Sequence, residues 1–254
     1  MSLTQITYPG GFMEFMSLIF DIYSNKWTEV QISRESEEVS LFNHQLAPAF
    51  SAEKAERVLS GLMRDGGKKS LSLIYRCFLS ELPGIEDKLL YLIRLIFKKQ
   101  TYKIADFSDP IILELHQTIK KIGREVHRMH AFVRFQETKD GIWACEINPD
   151  FDVLPLIGKH FKDRYPAFEW MIFDTIRGYG IYYKPGKGID TVKFEDYNQR
   201  QSLIGKEALT EDELAYQAMW KQYFESVNIK ERNNKKLHLR HVPKRYWKYL
   251  IEKQ

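Results

Sequence analysis

The pair Asp109-Pro110 constrains this chain more than any other two residues. An aspartate carboxylate can accept from the orphan amides of a helix start, and proline fits the first turn because its φ is pre-set and it has no N–H to satisfy. The pair therefore predicts a helix running from there to about Met129. Ile112, Leu115, Ile119, Ile122, Val126 and Met129 recur along it at the three- and four-residue spacing of one buried face. The period then changes. Residues 132–137 and 142–147 read as strands around Lys139-Asp140-Gly141, and Asp-Gly supplies the left-handed residues of a tight hairpin. A long amphipathic helix feeding a hairpin belongs to a mixed fold.

The same signals continue on both sides. Short strands are predicted over 5–8 and 28–32, flanking a helix over 12–23 that follows Pro9-Gly10-Gly11. Glu35-Ser36-Glu37-Glu38 reads as a solvated acidic loop. Ser51 is the expected N-cap of a helix over 52–64 that Gly66-Gly67 ends. Further helices are predicted over 71–81 and 86–99, parted by Pro83-Gly84. After the hairpin come a helix over 153–164 and strands over 170–174 and 180–184, joined through Arg177-Gly178-Tyr179. Helices alternating with antiparallel hairpins, rather than with single parallel strands, point to an α+β fold. The expected organisation is an α+β core over 1–184, a loop or linker over 185–209, and a helical basic C-terminal segment over 210–254 packed on the core. Thr210 and Glu213 form a capping box for the first helix of that segment.

Composition narrows the compartment. Cys77 and Cys145 are the two cysteines, too few for a disulfide framework or a four-thiolate zinc site. Charge interrupts every apolar stretch before the ~20 residues a spanning helix needs, so no membrane association is expected. The N-terminus has no basic start followed by an apolar run, so a cytoplasmic protein with reduced thiols is expected. The 14% aromatic content is enough for a large aromatic core. The net charge of +4 is unevenly spread: residues 228–254 carry +7 and the other residues −3.

Candidate chemistry is sparse. Gly66-Gly67-Lys68-Lys69-Ser70 follows a predicted helix and lacks the spacing of a phosphate loop. His127 and His130 have no glutamate between them and no nearby cysteine, so neither a metal nor another cofactor is expected. Glu146, Asp150, Asp152 and Asp174 fall at strand ends and turns, where carboxylates serve either as caps or as acid–base groups and Mg²⁺ ligands. Asp174, Asp150 and Asp152 are the catalytic candidates.

Three features suit a polyanion. Lys120, Arg124, His127 and Arg128 form a cationic stripe on one helix face, flanked by Lys121 and His130 and followed by Arg134, with only Glu125 of opposite sign. Arg177 and Tyr179 are set among glycines in a turn that could present an Arg and a stacking ring. The basic arm interleaves Tyr246, Trp247 and Tyr249 with Lys244, Arg245 and Lys248, which suits phosphate contact plus base stacking, or packing of the rings on the core with the cations in water.

An ordered set of short motifs carries a resemblance. It comprises residues 53–59 (Glu-Lys-Ala-Glu-Arg-Val-Leu), 78–86 (Phe-Leu-Ser-Glu-Leu-Pro-Gly-Ile-Glu), 123–129 (Gly-Arg-Glu-Val-His-Arg-Met), 132–135, 148–156 (Asn-Pro-Asp-Phe-Asp-Val-Leu-Pro-Leu), 174–182 and 243–247. Together they resemble a bacterial family of domains of unknown function described as DNA metabolism proteins. The resemblance implies a role in DNA repair or modification beside a radical-SAM protein, in a family whose domain also occurs fused to uracil-DNA-glycosylase-like domains. It implies no catalytic residues. The chain lacks a radical-SAM cysteine triplet, and the family span accounts for its length, so the expected role is the companion. The leading expectation is thus a DNA-binding accessory protein. The alternatives are an enzyme acting on damaged nucleic acid through Asp174 and nearby carboxylates, and a protein–protein adaptor.

Overall fold

The computed structural model describes residues 4–34, 45–194, 204–227, 237, 239 and 241–253. The acidic stretch 35–38 and Lys230, Arg232, Lys235, Lys236 and Arg240 of the basic arm lie outside the described residues. The chain divides into two compact units, Met1–Gly123 and Arg124–Gln254. That division falls inside the helix opened by Asp109-Pro110 and not at the 185–209 stretch.

In the first unit β1 (Thr4–Tyr8) leads into α1 (Phe12–Ser24), which returns the chain to β2 (Val30–Arg34). β1 also pairs with the two-residue β3 (Gln45–Leu46), and both pairings are parallel, with Gln5 opposite Gln31 and Gln45. Antiparallel hairpins were the expectation from sequence. A hairpin cannot join parallel strands, which need a crossover of about a dozen residues, and α1 supplies one.

Ser51 caps α2 (Ala52–Phe78), its side chain accepting from the Lys54 amide at 3.4 Å. The two helices predicted over 52–64 and 71–81 are parts of this one element, parted by a kink at Gly67 (φ 70°, ψ 176°). α3 (Ile85–Phe97) follows, then α4 (Pro110–Phe132). Asp109 Oδ1 accepts from the amides of Ile111 and Ile112 at 2.8 and 3.2 Å, the capping role assigned to it.

Ile6, Phe15, Met16, Ile19, Leu62, Ile74, Leu89 and Ile93 build the core of this unit, with Phe15 stacked on Phe78 at 5.7 Å. Charged groups are buried there too, Glu86 most completely, at 2% exposed. Glu86 accepts from the Tyr8 hydroxyl at 2.8 Å and Arg34 Nε at 2.7 Å, tying β1 and β2 to α3. Cys77 is buried, and desolvation pushes its thiol up to about 12, so it is a packing residue rather than a thiolate nucleophile.

The second unit is organised around a five-stranded sheet. Its strands are β4 (Gln136–Glu137), β5 (Trp143–Ile147), β6 (Trp170–Asp174), β7 (Tyr179–Lys184) and β8 (Gly188–Lys193), hydrogen-bonded in that order. The β4–β5 and β6–β7 hairpins stand where the turn residues place them. β5 and β6 are parallel, with α5 (Leu154–Arg164) as the crossover.

β8 corrects the sequence reading, because it lies inside the stretch expected to be loop. It pairs antiparallel with β7 at the sheet edge, through the turn in which the Lys187 amide donates to the Lys184 carbonyl. Its residues Gly-Ile-Asp-Thr-Val-Lys are half-buried at best, so burial left no alternating pattern to read. α6 (Glu211–Ser226) and two 3₁₀ turns, Lys244–Tyr249 and Ile251–Lys253, complete the unit. The Glu213 amide donates to Thr210 Oγ1 at 3.1 Å, half of the expected capping box; the Glu213 carboxylate instead accepts from the Glu137 amide and from Gln217.

Met129, Val133, Cys145, Ile157, Phe161, Trp170, Ile172 and Tyr246 share this unit's core. The molecule is thus α+β, with helices around two separate sheets. Among the described residues no helix is long and apolar enough to cross a membrane.

Candidate nucleic-acid interface

The parallel pair β5 and β6 brings its two carboxyl ends together, the place where open sheets with crossover helices gather functional side chains. Beyond β5 the chain passes through Asn148, Asp150 and Asp152, and beyond β6 through Thr175 and Arg177. Asp174, the last residue of β6, is fully buried. Its Oδ1 accepts from the amides of Ile176 and Arg177 at 2.8 and 3.2 Å, and its Oδ2 pairs with the Arg177 guanidinium at 2.8 Å. Burial raises the Asp174 pKa, against the downward pull of Arg177 and the two amides. The arrangement braces a turn, and the Gly178 amide completes it by donating to the Asp174 carbonyl.

Arg177 and Tyr179 were expected to project from this turn. The structure folds both inward. Arg177 reaches the carbonyls of Pro149 and Asp150 at 3.3 Å, with only 11% of its side chain exposed. Tyr179 donates its hydroxyl to Asp152, and burial followed by the Asp152 charge raises its pKa. Gly180 has its own reason to be glycine: a Cβ there would stand 2.8 Å from the Ile172 carbonyl oxygen.

The end of the basic arm meets the same strand ends. Arg245 pairs with Glu125 at 2.7 Å and with Asp150, and the Tyr246 hydroxyl donates to Glu125 at 2.6 Å. Glu125 also accepts from the Asp150 amide at 3.0 Å, so a carboxylate only 2% exposed has three close donors. Tyr249 and Thr175 share a hydroxyl hydrogen bond at 3.0 Å, and Trp247 donates to the Val242 carbonyl. Tyr246, Leu250 and Ile251 are buried. The described end of the arm is therefore part of the folded unit, with Lys244 and Lys248 left exposed.

The cations of α4 separate into two groups. Arg124 and His127 are exposed, as are Lys120 and Lys121, which precede them in the first unit. Among the described residues neither Arg124 nor either lysine makes an ion pair. Arg128 stands 3.6 Å from Glu125, and Arg134 pairs with Glu252 at 3.2 Å while donating to the Ala131 carbonyl. His130 stacks on His160 at 3.8 Å, and its pKa is lowered by burial and then by the neighbouring imidazoles His160 and His127.

Glu125 is the residue that sequence reasoning misplaced. It was counted as the one acidic interruption of a cationic face. The signal was its spacing, three residues after Ile122 and four before Met129, which puts it on the buried face of α4. The packing of Tyr246, by contrast, was one of two readings the arm allowed.

Residues 83–252 match the family described as Domain of unknown function, DUF4130. The chain belongs to this family. The matched span runs from the start of α3 to the 3₁₀ turn Ile251–Lys253 and includes every strand-end residue described above. No curated protein matches the chain, and no solved structure does.

Proposed function

We propose that this DUF4130 protein binds nucleic acid as an accessory factor in DNA repair or modification, beside a radical-SAM enzyme. The observation that carries the reading is the set of α4 cations that pair with no carboxylate among the described residues. Arg177, Arg134 and Arg245 have internal acceptors, whereas Arg124, Lys120 and Lys121 are exposed, with the His127 ring exposed beside them. Arg and Lys so placed suit phosphate contact, which fixes position on the backbone without reading sequence. The exposed Lys244 adds to the positive charge of the second unit. The motif resemblance to DNA metabolism proteins supplies the choice of DNA and of the radical-SAM partner.

Fluorescence anisotropy with a labelled oligonucleotide tests this directly. About four phosphate contacts give a log–log salt slope near −3.6, so affinity is expected to fall roughly a hundredfold between 50 and 200 mM salt. Arg124→Glu weakens binding and flattens the slope by about one or two contacts. Absence of salt-sensitive binding at low ionic strength overturns the reading. Co-purification with the radical-SAM protein tests the partner separately.

A second reading has one observation in its favour, the gathering of Asp150, Asp152 and Asp174 at the carboxyl ends of β5 and β6. On it the protein acts chemically on damaged nucleic acid. Asp150, whose side chain is 51% exposed, is the member open to a substrate. Asp150→Asn abolishes turnover in a reconstituted repair assay on this reading and leaves it unchanged on the first.

A further inference from the structure

A hollow opens in the first unit between the end of α1 and the end of α3. Its volume is about 510 Å³, within the range of small-ligand sites. Tyr23, Trp27 and Phe97 supply aromatic walls, and Lys26, Arg94 and Lys98 supply charge. No carboxylate is among the residues lining it. Tyr23 and Phe97 meet edge to face at 5.4 Å. A second hollow shares these two rings, measures about 600 Å³ and mixes Glu53 and Glu56 with Arg57 and Arg64, as a solvated surface ordinarily does. The first hollow is of one sign.

The fold holds these cations without using up their charge. Arg94 Nη2 donates to the carbonyls of Trp27 and Thr28 at 3.2 and 3.0 Å, and none of its described partners is a carboxylate. Two of the five guanidinium donors are thereby spent on fixing the group in place. Lys26 stands at φ 56°, the left-handed position after a helix where glycine is the usual residue. Its amide donates to the Tyr23 carbonyl at 3.2 Å, and the Trp27 amide to the Ile22 carbonyl at 3.0 Å. α3 closes the same way, the Lys99 and Gln100 amides reaching the Ile96 and Leu95 carbonyls at 2.8 and 2.9 Å. Backbone amides thus occupy these helix-end carbonyls, and the ammonium groups of Lys26 and Lys98 are not needed there.

Cations gathered around one hollow repel one another unless an anion sits among them. The aromatic walls select the rest of the ligand, since a planar base stacks on such rings whatever its identity. A bare inorganic anion would leave those walls unused, and a nucleotide carries both parts in one molecule. We propose that the hollow between α1 and α3 is a nucleotide site, in which Arg94, Lys26 and Lys98 hold the phosphate and Trp27 and Tyr23 receive the base. A free mononucleotide and the phosphorylated end of a strand share this chemistry. None of these residues belongs to the cationic set of α4, so mononucleotide binding and salt-sensitive DNA binding can each be present without the other.

Isothermal titration calorimetry of the full chain with adenosine monophosphate (AMP) reads the result. AMP is expected to bind with a dissociation constant of roughly 10–500 µM, and adenosine and inorganic phosphate each about tenfold more weakly or worse. Lys26→Gly suits the left-handed backbone while removing the charge. Combined with Lys98→Gln, it is expected to weaken AMP binding about tenfold. Far-UV circular dichroism checks that this variant keeps its helices; were it to lose them, Lys98→Gln alone gives the reading, as a smaller loss. A 5′-phosphorylated trinucleotide that displaces AMP points to strand ends as the source, and one that fails to displace it points to the free nucleotide; both support the site. No AMP binding at about 1 mM overturns the inference. So does AMP binding that the lysine variants leave unchanged, or inorganic phosphate that binds as tightly as AMP, since no base is then received.

Discussion

Glu125 ties together three stretches of the second unit through a single side chain. Its carboxylate takes the Tyr246 hydroxyl, the Asp150 amide and the Arg245 guanidinium, and so joins α4, the loop after β5 and the end of the chain. Glu125→Gln keeps the shape but removes the charge and turns one acceptor oxygen into a donor aimed at other donors. Breaking a buried pair from one side costs about 3–5 kcal/mol. Tyr246→Phe leaves both charges in place and removes the two hydrogen bonds of the hydroxyl, the one it donates to Glu125 and the one it accepts from Arg245, at an expected cost of about 2 kcal/mol. Urea denaturation monitored by tryptophan fluorescence measures both, and the expected order is Glu125→Gln well below Tyr246→Phe in stability. Equal losses would mean that Arg245 relaxes onto Asp150 and solvent, leaving Glu125 no special weight.

At the level of elements, the break in α2 rests on one backbone conformation. Gly67, at φ 70° and ψ 176°, lies where essentially only glycine is found, and no atom stands within 4 Å of the place its Cβ would occupy. Gly67→Ala therefore tests the backbone alone, without a steric clash. It is expected to destabilise the protein by about 1–3 kcal/mol, read as a lower urea midpoint at constant slope. The same position shows what the sequence could announce. Gly66-Gly67, Ser51 and Asp109-Pro110 act through local chemistry, and their elements stand where that chemistry puts them. Strand direction is not local. Residues 143–147 and 170–174 look alike whether they pair parallel or antiparallel, and only the intervening helix, read as a crossover, decides. β8 was illegible for another reason, since an edge strand with little burial leaves no alternation behind. The cationic residues were legible as charges, but their roles depended on partners far along the chain: Arg245 lies 120 residues from Glu125.

The molecule as a whole carries two cores. Phe15, Leu62, Ile74 and Leu89 belong to the first unit, and Trp170, Ile172, Phe161 and Tyr246 to the second. Each unit has more than a hundred residues and its own sheet, a size at which a domain can fold on its own core. Two such cores give two cooperative transitions, not one, so scanning calorimetry is expected to yield a total enthalpy larger than the van't Hoff value of either step. Core truncations assign them. Leu89→Ala, at a fully buried position of α3, costs about 2–5 kcal/mol and lowers the transition of the first unit. Tyr246→Ala empties an aromatic site in the other core at a cost of about 3–5 kcal/mol and lowers the second. Each variant is expected to move one transition by several degrees and leave the other in place. A single transition that both variants shift together would show that the two cores melt as one body. The end of the basic arm would then stabilise the first unit as well as the second, because Tyr246 would contribute to the only cooperative unit present.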